Sequence, residues 1–537
     1  MTERFSRRAF LGGSAAFGGS LLLGGTLLAG CDSRRHDAAQ AASADAPRTP
    51  QRGGLLRLGI LDGNLAGNLD AHKPVGGGVV RGFALYSKLW EWDANLTPTL
   101  ALAEEAEVNA DATAWTIRLK PGLEFHHGKT ISADDVIFSI RRLTDPQLAS
   151  PFAGLVAAVD RDRLEKLDAR TVRVRFRAGR SFLSLPETWV NFGGIVPTDY
   201  HPVTNPVGAG PYRYKAFEPG RRSLFTRFEN YFKPGRPYAD ELEIVSFQDE
   251  TARIAALEAG QIDLANQIAP EQAVRLRANR RVQVLVSQTT GWQSFDMNTS
   301  RAPFDDVRVR QAFRLLADRD ELVRRALNGQ GRVANDLYGL DDPTFNHGIA
   351  PRPHDVAQAR RLLKAAGREN LSVELVTGPS TLGGNPVGAS LVFAEQAKQA
   401  GVDVRVKQLD AATFYGPQRD DWLFSNGGGF GGNFLPSGLS ADAPASVSNK
   451  THFRNARFGE LFEAAMAQPD VDKRRPLVHE AQQIQYDEGG LLIWAYTNYQ
   501  DAVAARVGGA TAEKTLFTTW RFDSLWLDGA GPSSGAA

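Results

Sequence analysis

Several groups of residues in this chain have the types and spacings from which chemistry is usually built. Gly122, Gly128, Lys129 and Thr130 outline a phosphate-binding loop, but five residues separate the glycines where G-x-x-x-x-G-K-[ST] requires four. An extended piece follows the lysine and a new helix cap stands at Ser132, so no helix N-terminus waits for a phosphate. His126-His127 offers imidazoles to a metal, yet neighbours on an extended segment point to opposite sides. The other seven histidines are scattered, without His-Glu-x-x-His or His-x-His spacing. No metal site is expected, and His126 reads as a hydrogen-bonded residue of its turn. Ser448 and His452 are close in sequence, but a nucleophile needs geometry that proximity does not supply. No catalytic residue and no cofactor is assigned.

The stretch Asn426 to Phe434, NGGGFGGNF, contains G-x-G-x-x-G at Gly427, Gly429 and Gly432. Leu435-Pro436 follows where a dinucleotide site needs a helix. Glycines let a backbone come close to a ligand, and Trp422, Phe424, Phe430 and Phe434 offer aromatic walls. A mobile surface loop explains the same composition. Both readings stand at this point.

The elements that must position these residues are legible around 113–143. Trp115, Ile117 and Leu119 alternate with Thr116, Arg118 and Lys120, the pattern of a half-buried strand. Pro121-Gly122 is a turn. Ser132 stands three residues before Asp135, a capping-box arrangement, and Val136, Ile137, Ile140 and Leu143 form an apolar helical stripe. Strands are expected over 55–60, 171–177, 241–247, 371–377, 402–408 and 491–496. Helices are expected over 79–90, 250–259, 355–366, 386–400, 457–467 and 472–488. Asp305 or Asp306 caps a helix whose buried face includes Val309, Phe313 and Leu316. Alternating strands and helices argue for an α/β chain.

With 537 residues, 62 Lys+Arg against 61 Asp+Glu and one cysteine, the chain is long enough for two or three lobes and has no charge excess for nucleic acid. Ser6-Arg7-Arg8 before the Gly/Ala/Leu-rich residues 12–29 resembles a twin-arginine export signal. Leu28-Ala29-Gly30-Cys31 resembles a lipobox, and a lone cysteine has no internal disulfide partner, so Cys31 reads as a lipidation site. Residues 32–52 read as a flexible tether and 529–537 as a disordered tail.

The order W-x-I-x-L-K-P-G-L-x-F-H-x-G-K-x-x-S-A-D-D-V from Trp115 to Val136 resembles the hallmark of the family 5 extracellular solute-binding proteins. These are the peptide, nickel and opine binding subunits of ABC importers. His127 departs from the family's Asp or Asn. Further resemblances follow in family order: Asn68 to His72 with Ala71 for the usual proline, Val207 to Tyr212, Gln261 to Ala265, and Asn298-Thr299 with Pro303 to Ala312. The resemblance implies a periplasmic-binding-protein-like type II α/β fold, two lobes with a small extra domain inserted in the first. Lobe I takes residues 53–90, 200–290 and 498–528, the extra domain 91–199, and lobe II 291–497.

It also implies a function: capture of a solute by lobe closure and delivery to a permease. The solute is a short peptide or peptide-like compound, and the partners are ABC permease and ATPase subunits. A monomer is expected, in the periplasm and lipid-anchored to the inner membrane through Cys31. An exported hydrolase or chemosensory binding protein on the same fold is the alternative.

The resemblance places Asn433 where peptide-binding members carry the aspartate that pairs with the ligand's α-ammonium. An amide supplies no charge for that task. Ser150-Pro151-Phe152 resembles a motif whose aromatic faces the ligand, and Trp292 lies near an interlobe crossover. The expected ligand-binding set is therefore Asn433, Phe430, Phe434, Trp422, Asn426, Phe152 and Trp292.

Overall fold

Two long strands, Val282–Met297 and Leu491–Ala504, run antiparallel through the middle of an eleven-stranded sheet. Their register is regular from Val282↔Ala504 to Gln288↔Asn498, breaks, and resumes at Trp292↔Tyr496. At the break, side chains replace the lost ladder bonds. Thr289 Oγ1 donates to the Thr497 carbonyl at 2.9 Å and accepts from the Gly291 amide at 3.1 Å, while Thr497 Oγ1 donates to the Gly291 carbonyl at 3.2 Å. A Cβ on Gly291 would stand 2.6 Å from the Tyr499 hydroxyl.

The computed structural model describes residues 48–62, 66–379, 384–444, 446 and 448–529. The export signal, Cys31, and most of the tether and tail lie outside these. On one side of the crossover pair the sheet continues through Leu264–Ala265, Leu55–Leu61, Glu241–Phe247, Arg222–Arg227 and Tyr212–Glu218. On the other it continues through Phe424–Gly429, Ser372–Thr377 and Asp403–Gln408. Leu56, Leu58, Ile60, Leu242 and Ile244, alternate residues on one face of this parallel pair, are buried in a single apolar cluster.

A separate four-stranded antiparallel sheet joins Ala103–Val108, Ala114–Leu119, Thr171–Phe176 and Val159–Lys166 in that spatial order. The alternation around Trp115 is realised there, with Trp115, Ile117 and Leu119 buried. The helix Ala133–Leu143 begins with the Ser132/Asp135 capping box. Asp135 also accepts from the Thr198 amide at 3.1 Å and pairs with Lys129, so a helix cap doubles as a tie to the following chain. His126 Nε2 bonds the Gly210 carbonyl at 3.0 Å, and burial drives its pKa down to about 3. Asp306, rather than Asp305, caps the helix Val307–Leu316.

Two expectations need correction. The helix placed over 79–90 spans only Gly78–Leu85. Backbone groups beyond it are claimed by other segments: the Leu85 carbonyl accepts from Gly210, the Ser87 carbonyl accepts from Ile195, and the Tyr86 hydroxyl donates to the Leu69 carbonyl at 2.5 Å. A helix does follow the glycine stretch, Phe434–Ser440, with Asn433 as its N-cap residue. Pro436 falls in the first turn, where a missing N–H costs nothing. A phosphate is nonetheless excluded, because the Phe434 amide at that N-terminus already donates to Asp342 at 2.8 Å.

Candidate functional site: the seam beside the crossover strands

The glycine stretch owes its composition to the crossover strand beside it. Phe424–Gly429 pairs antiparallel with Val282–Met297, Trp292 opposite Gly429 and Phe295 opposite Asn426. Successive side chains of a strand face opposite ways, so Gly427, Gly429 and Gly431 share a face. A Cβ on Gly427 would overlap the Asp296 carboxylate, one on Gly429 would lie 2.6 Å from the Trp292 indole, and one on Gly431 would lie 2.8 Å from Thr290 Oγ1 at the register break. The small residues admit this chain's own Asp296, Trp292 and Thr290, and they seat the loop on the break.

From that loop the chain enters the helix Phe434–Ser440, which packs toward the small sheet's satellite elements. A single apolar cluster contains Trp189 and Val190 of the helix Leu185–Phe192 together with Phe434, Leu435 and Phe462 from beyond the crossover. Hydrogen bonds and an ion pair accompany it: the Leu183 amide to the Met466 carbonyl at 3.2 Å, and Arg180 to Glu463 at 3.0 Å. These contacts form a seam between the elements around the helix Leu185–Phe192 and those around the helix Phe434–Ser440.

At its polar end Asn433 Nδ2 donates to the Glu187 carboxylate. Burial pushes the Glu187 pKa up to about 7; Asp342 pushes the same way, while the Asn433 bond and the Arg474 charge oppose it. Phe434 is fully buried and stacks on Tyr338 with centroids 5.6 Å apart, and Tyr338 stacks on Trp292 at 6.1 Å. The Tyr338 hydroxyl donates to Asp442 at 2.7 Å, and Gln485 donates to the same carboxylate at 3.0 Å. Burial raises the Asp442 pKa to about 6. Farther along the strand face, Asp296 accepts from Ser294 at 2.5 Å and lies 3.9 Å from Lys450. Burial raises the Asp296 pKa and lowers that of Lys450. Arg419 Nε is buried nearby without a hydrogen-bond acceptor.

Of the expected set, the seam therefore gathers Asn433, Phe434 and, through Tyr338, Trp292. Phe152 joins them from the other side: it stacks on Phe192 with centroids 3.6 Å apart, and the 3-10 turn that follows it packs against the helix Phe434–Ser440. Phe430 is 46% exposed beside the register break. Asn426 is buried and accepts from Ser390 at 2.6 Å, and Trp422 ends the turn Arg419–Asp421. Sequence reasoning missed Glu187, Asp342 and Tyr338. The carboxylate that meets Asn433 comes from Glu187. Its local sequence, an acid just after a helix-starting proline, signals only a first-turn acid.

Residues 97–449 match the bacterial extracellular solute-binding proteins, family 5. The chain belongs to that family. The di/tripeptide-binding protein 2 of Pseudomonas aeruginosa is 26% identical over 446 residues, covering 76% of this chain and 83% of that one. In fold the chain is similar to the PBP AgaA in complex with agropinic acid from A.tumefacien R10, with a TM-score of 0.76 at 22% identity over 88% of this chain and 99% of that one. It is also similar to the ABC transporter-associated periplasmic binding protein DppA from Helicobacter pylori in complex with peptide STSA, with a TM-score of 0.75 at 20% identity over 89% and 99%. This family 5 protein thus has the type II periplasmic-binding-protein fold, and its relatives are binding proteins. By family it is a solute-binding protein.

Proposed function

We propose that the seam closes on a short peptide or peptide-like compound, whose ammonium group is held by Glu187 with Asn433 as its hydrogen-bonding neighbour. The supporting observation is the bond between Asn433 and a carboxylate from the opposite side, where no cation makes a direct ion pair with Glu187 among the described residues. An incoming ammonium would favour the ionised form and draw the Glu187 proton off. The Lys450 and Arg419 cations near Asp296 suit the carboxylate end. Trp292 and Asp296 are separated by roughly 13 Å of strand at ~3.3 Å per residue. An extended chain at that same rise spans this with about three or four residues.

Calorimetric titration with a peptide length series tests this reading. Tri- and tetrapeptides should bind more tightly than dipeptides, and N-acetylation should weaken binding in the wild type but make no difference in Glu187→Gln. Equal binding of free and acetylated peptides would remove Glu187 from the ligand.

The reading extends to the cell. The protein is exported by the twin-arginine route, lipidated at Cys31 and held as a monomer on the periplasmic side of the inner membrane; it turns over no substrate. Mass spectrometry of the membrane fraction should find an acylated N-terminal Cys31, and Cys31→Ser should release the protein. An unmodified mature chain free in the periplasm would refute the anchor.

A further inference from the structure

Lys88 lies away from the seam, between the helix Gly78–Leu85 and the short strand Trp90–Trp92. It is 8% exposed, and its ammonium sits 3.7 Å from the centroid of the Phe83 ring. Among the described residues, no hydrogen-bond acceptor or carboxylate contacts Nζ. Burial lowers its pKa to about 7, against a smaller opposing pull from the Glu91 charge. The side chain borders two voids. One, of ≈ 50 Å³, is walled by Phe83, Trp90, Tyr231, Phe232 and Trp520; the other, of ≈ 20 Å³, lies toward Asp70 and Phe192.

The remaining charges around the larger void are matched. Lys233 pairs with Glu91 at 2.7 Å and Asp523 at 3.1 Å, and Arg521 pairs with Glu513 at 3.1 Å. Lys88 is the lining cation left over among the described residues. A cation–π contact offsets part of the cost of burying an ammonium, but it supplies no counter-charge.

We propose that the larger void is a second binding site, separate from the seam, for an acetate-sized monocarboxylate whose oxygens meet Lys88 Nζ and whose alkyl end meets Trp520 and Tyr231. The size follows from the volume. One water needs ~10–15 Å³ by this measure, so the void takes about four water-sized groups, the number of heavy atoms in acetate. Trp520 stacks on Phe83 at 5.5 Å and on Trp92 at 6.4 Å. An occupant would therefore pin the C-terminal segment to the helix Gly78–Leu85 and to the strand Trp90–Trp92.

Saturation-transfer NMR of the full chain with sodium acetate, at ionic strength held constant with sodium chloride, tests the site. Irradiating aromatic protons should transfer magnetisation to the acetate methyl. Formate should displace acetate, and the bulkier isovalerate should not. In Lys88→Met and Lys88→Gln the acetate affinity should fall by at least about ten-fold, the loss of one charge-assisted hydrogen bond. Glu187→Gln, which alters the seam, should leave it unchanged. No transfer in the wild type, displacement by isovalerate equal to that by formate, or loss on Glu187→Gln would overturn the proposal. The wild-type displacement series decides the matter even if the Lys88 variants do not fold.

Discussion

The Asn433 amide donates to the Glu187 carboxylate across 246 residues of sequence, from the cap of one helix to the first turn of another. Glu187 has its pKa raised by burial from 4.5 to about 7, so the folded seam favours the protonated form. Such a group binds more protons folded than unfolded, and its stabilisation is complete below pH 4.5 and lost as pH rises through about 7. The wild type should therefore lose up to ~3 kcal/mol over that window from this group. Chemical denaturation across the window should show a shallower decline for Glu187→Gln. Parallel profiles would contradict the assignment.

Asn433→Asp places a second carboxylate against Glu187. Two adjacent acids cannot both ionise cheaply, so one keeps its proton to higher pH. Affinity for free-amine peptides should rise relative to N-acetylated ones, because the ammonium relieves the repulsion, and the ligand-free protein should open more readily. Small-angle scattering for opening and calorimetry for affinity measure both; unchanged selectivity would count against Asn433 at the amine end.

Gly427→Ala should destabilise the fold, because the new methyl meets the Asp296 carboxylate, itself held by Ser294. Overpacking of this kind costs about 1–3 kcal/mol. Gly432→Ala, whose nearest neighbour is Ser437 Oγ at 3.4 Å, should cost far less. Urea midpoints at equal m-value compare the two.

Asp70 receives Arg142 through two bonds of 2.7 Å and also caps His72 and Lys73. Although burial alone would raise it, the Asp70 pKa is lowered by Arg142 and the two amides. Its stabilisation is present above pH 3.8 and lost as pH falls through the folded value. Asp70→Asn should cost about 3–5 kcal/mol, as breaking a largely buried pair does. A thermal melt at neutral pH checks this, and the gap should narrow in acid.

Local signals survived the passage from sequence to structure; long-range ones had none to offer. The Ser132/Asp135 box, the Trp115 alternation and the Val309, Phe313, Leu316 face depend on neighbours a few residues away, so spacing reveals them. The Gly78–Leu85 helix stops where Gly210 and Ile195 take its next carbonyls, and neither residue is near in sequence. Pro436 reads as a helix breaker until its first-turn position is known. Phe434 and Trp292 could be singled out from the sequence as large aromatics near the glycine stretch and the crossover, and both stack on Tyr338; Glu187 could not, since a lone first-turn acid has no signature that names its partner.

The apolar cluster that unites Trp189 and Val190 with Phe434, Leu435 and Phe462 has a calorimetric consequence. When the halves part, water must wet that surface, and wetting apolar area raises heat capacity. Capture of solute should therefore carry a negative heat-capacity change larger than the ligand's own surface accounts for. Its enthalpy will grow more favourable on warming while the affinity moves little. Each release of solute would re-expose the same surface, so whatever opens the protein must work against the very attraction that closed it.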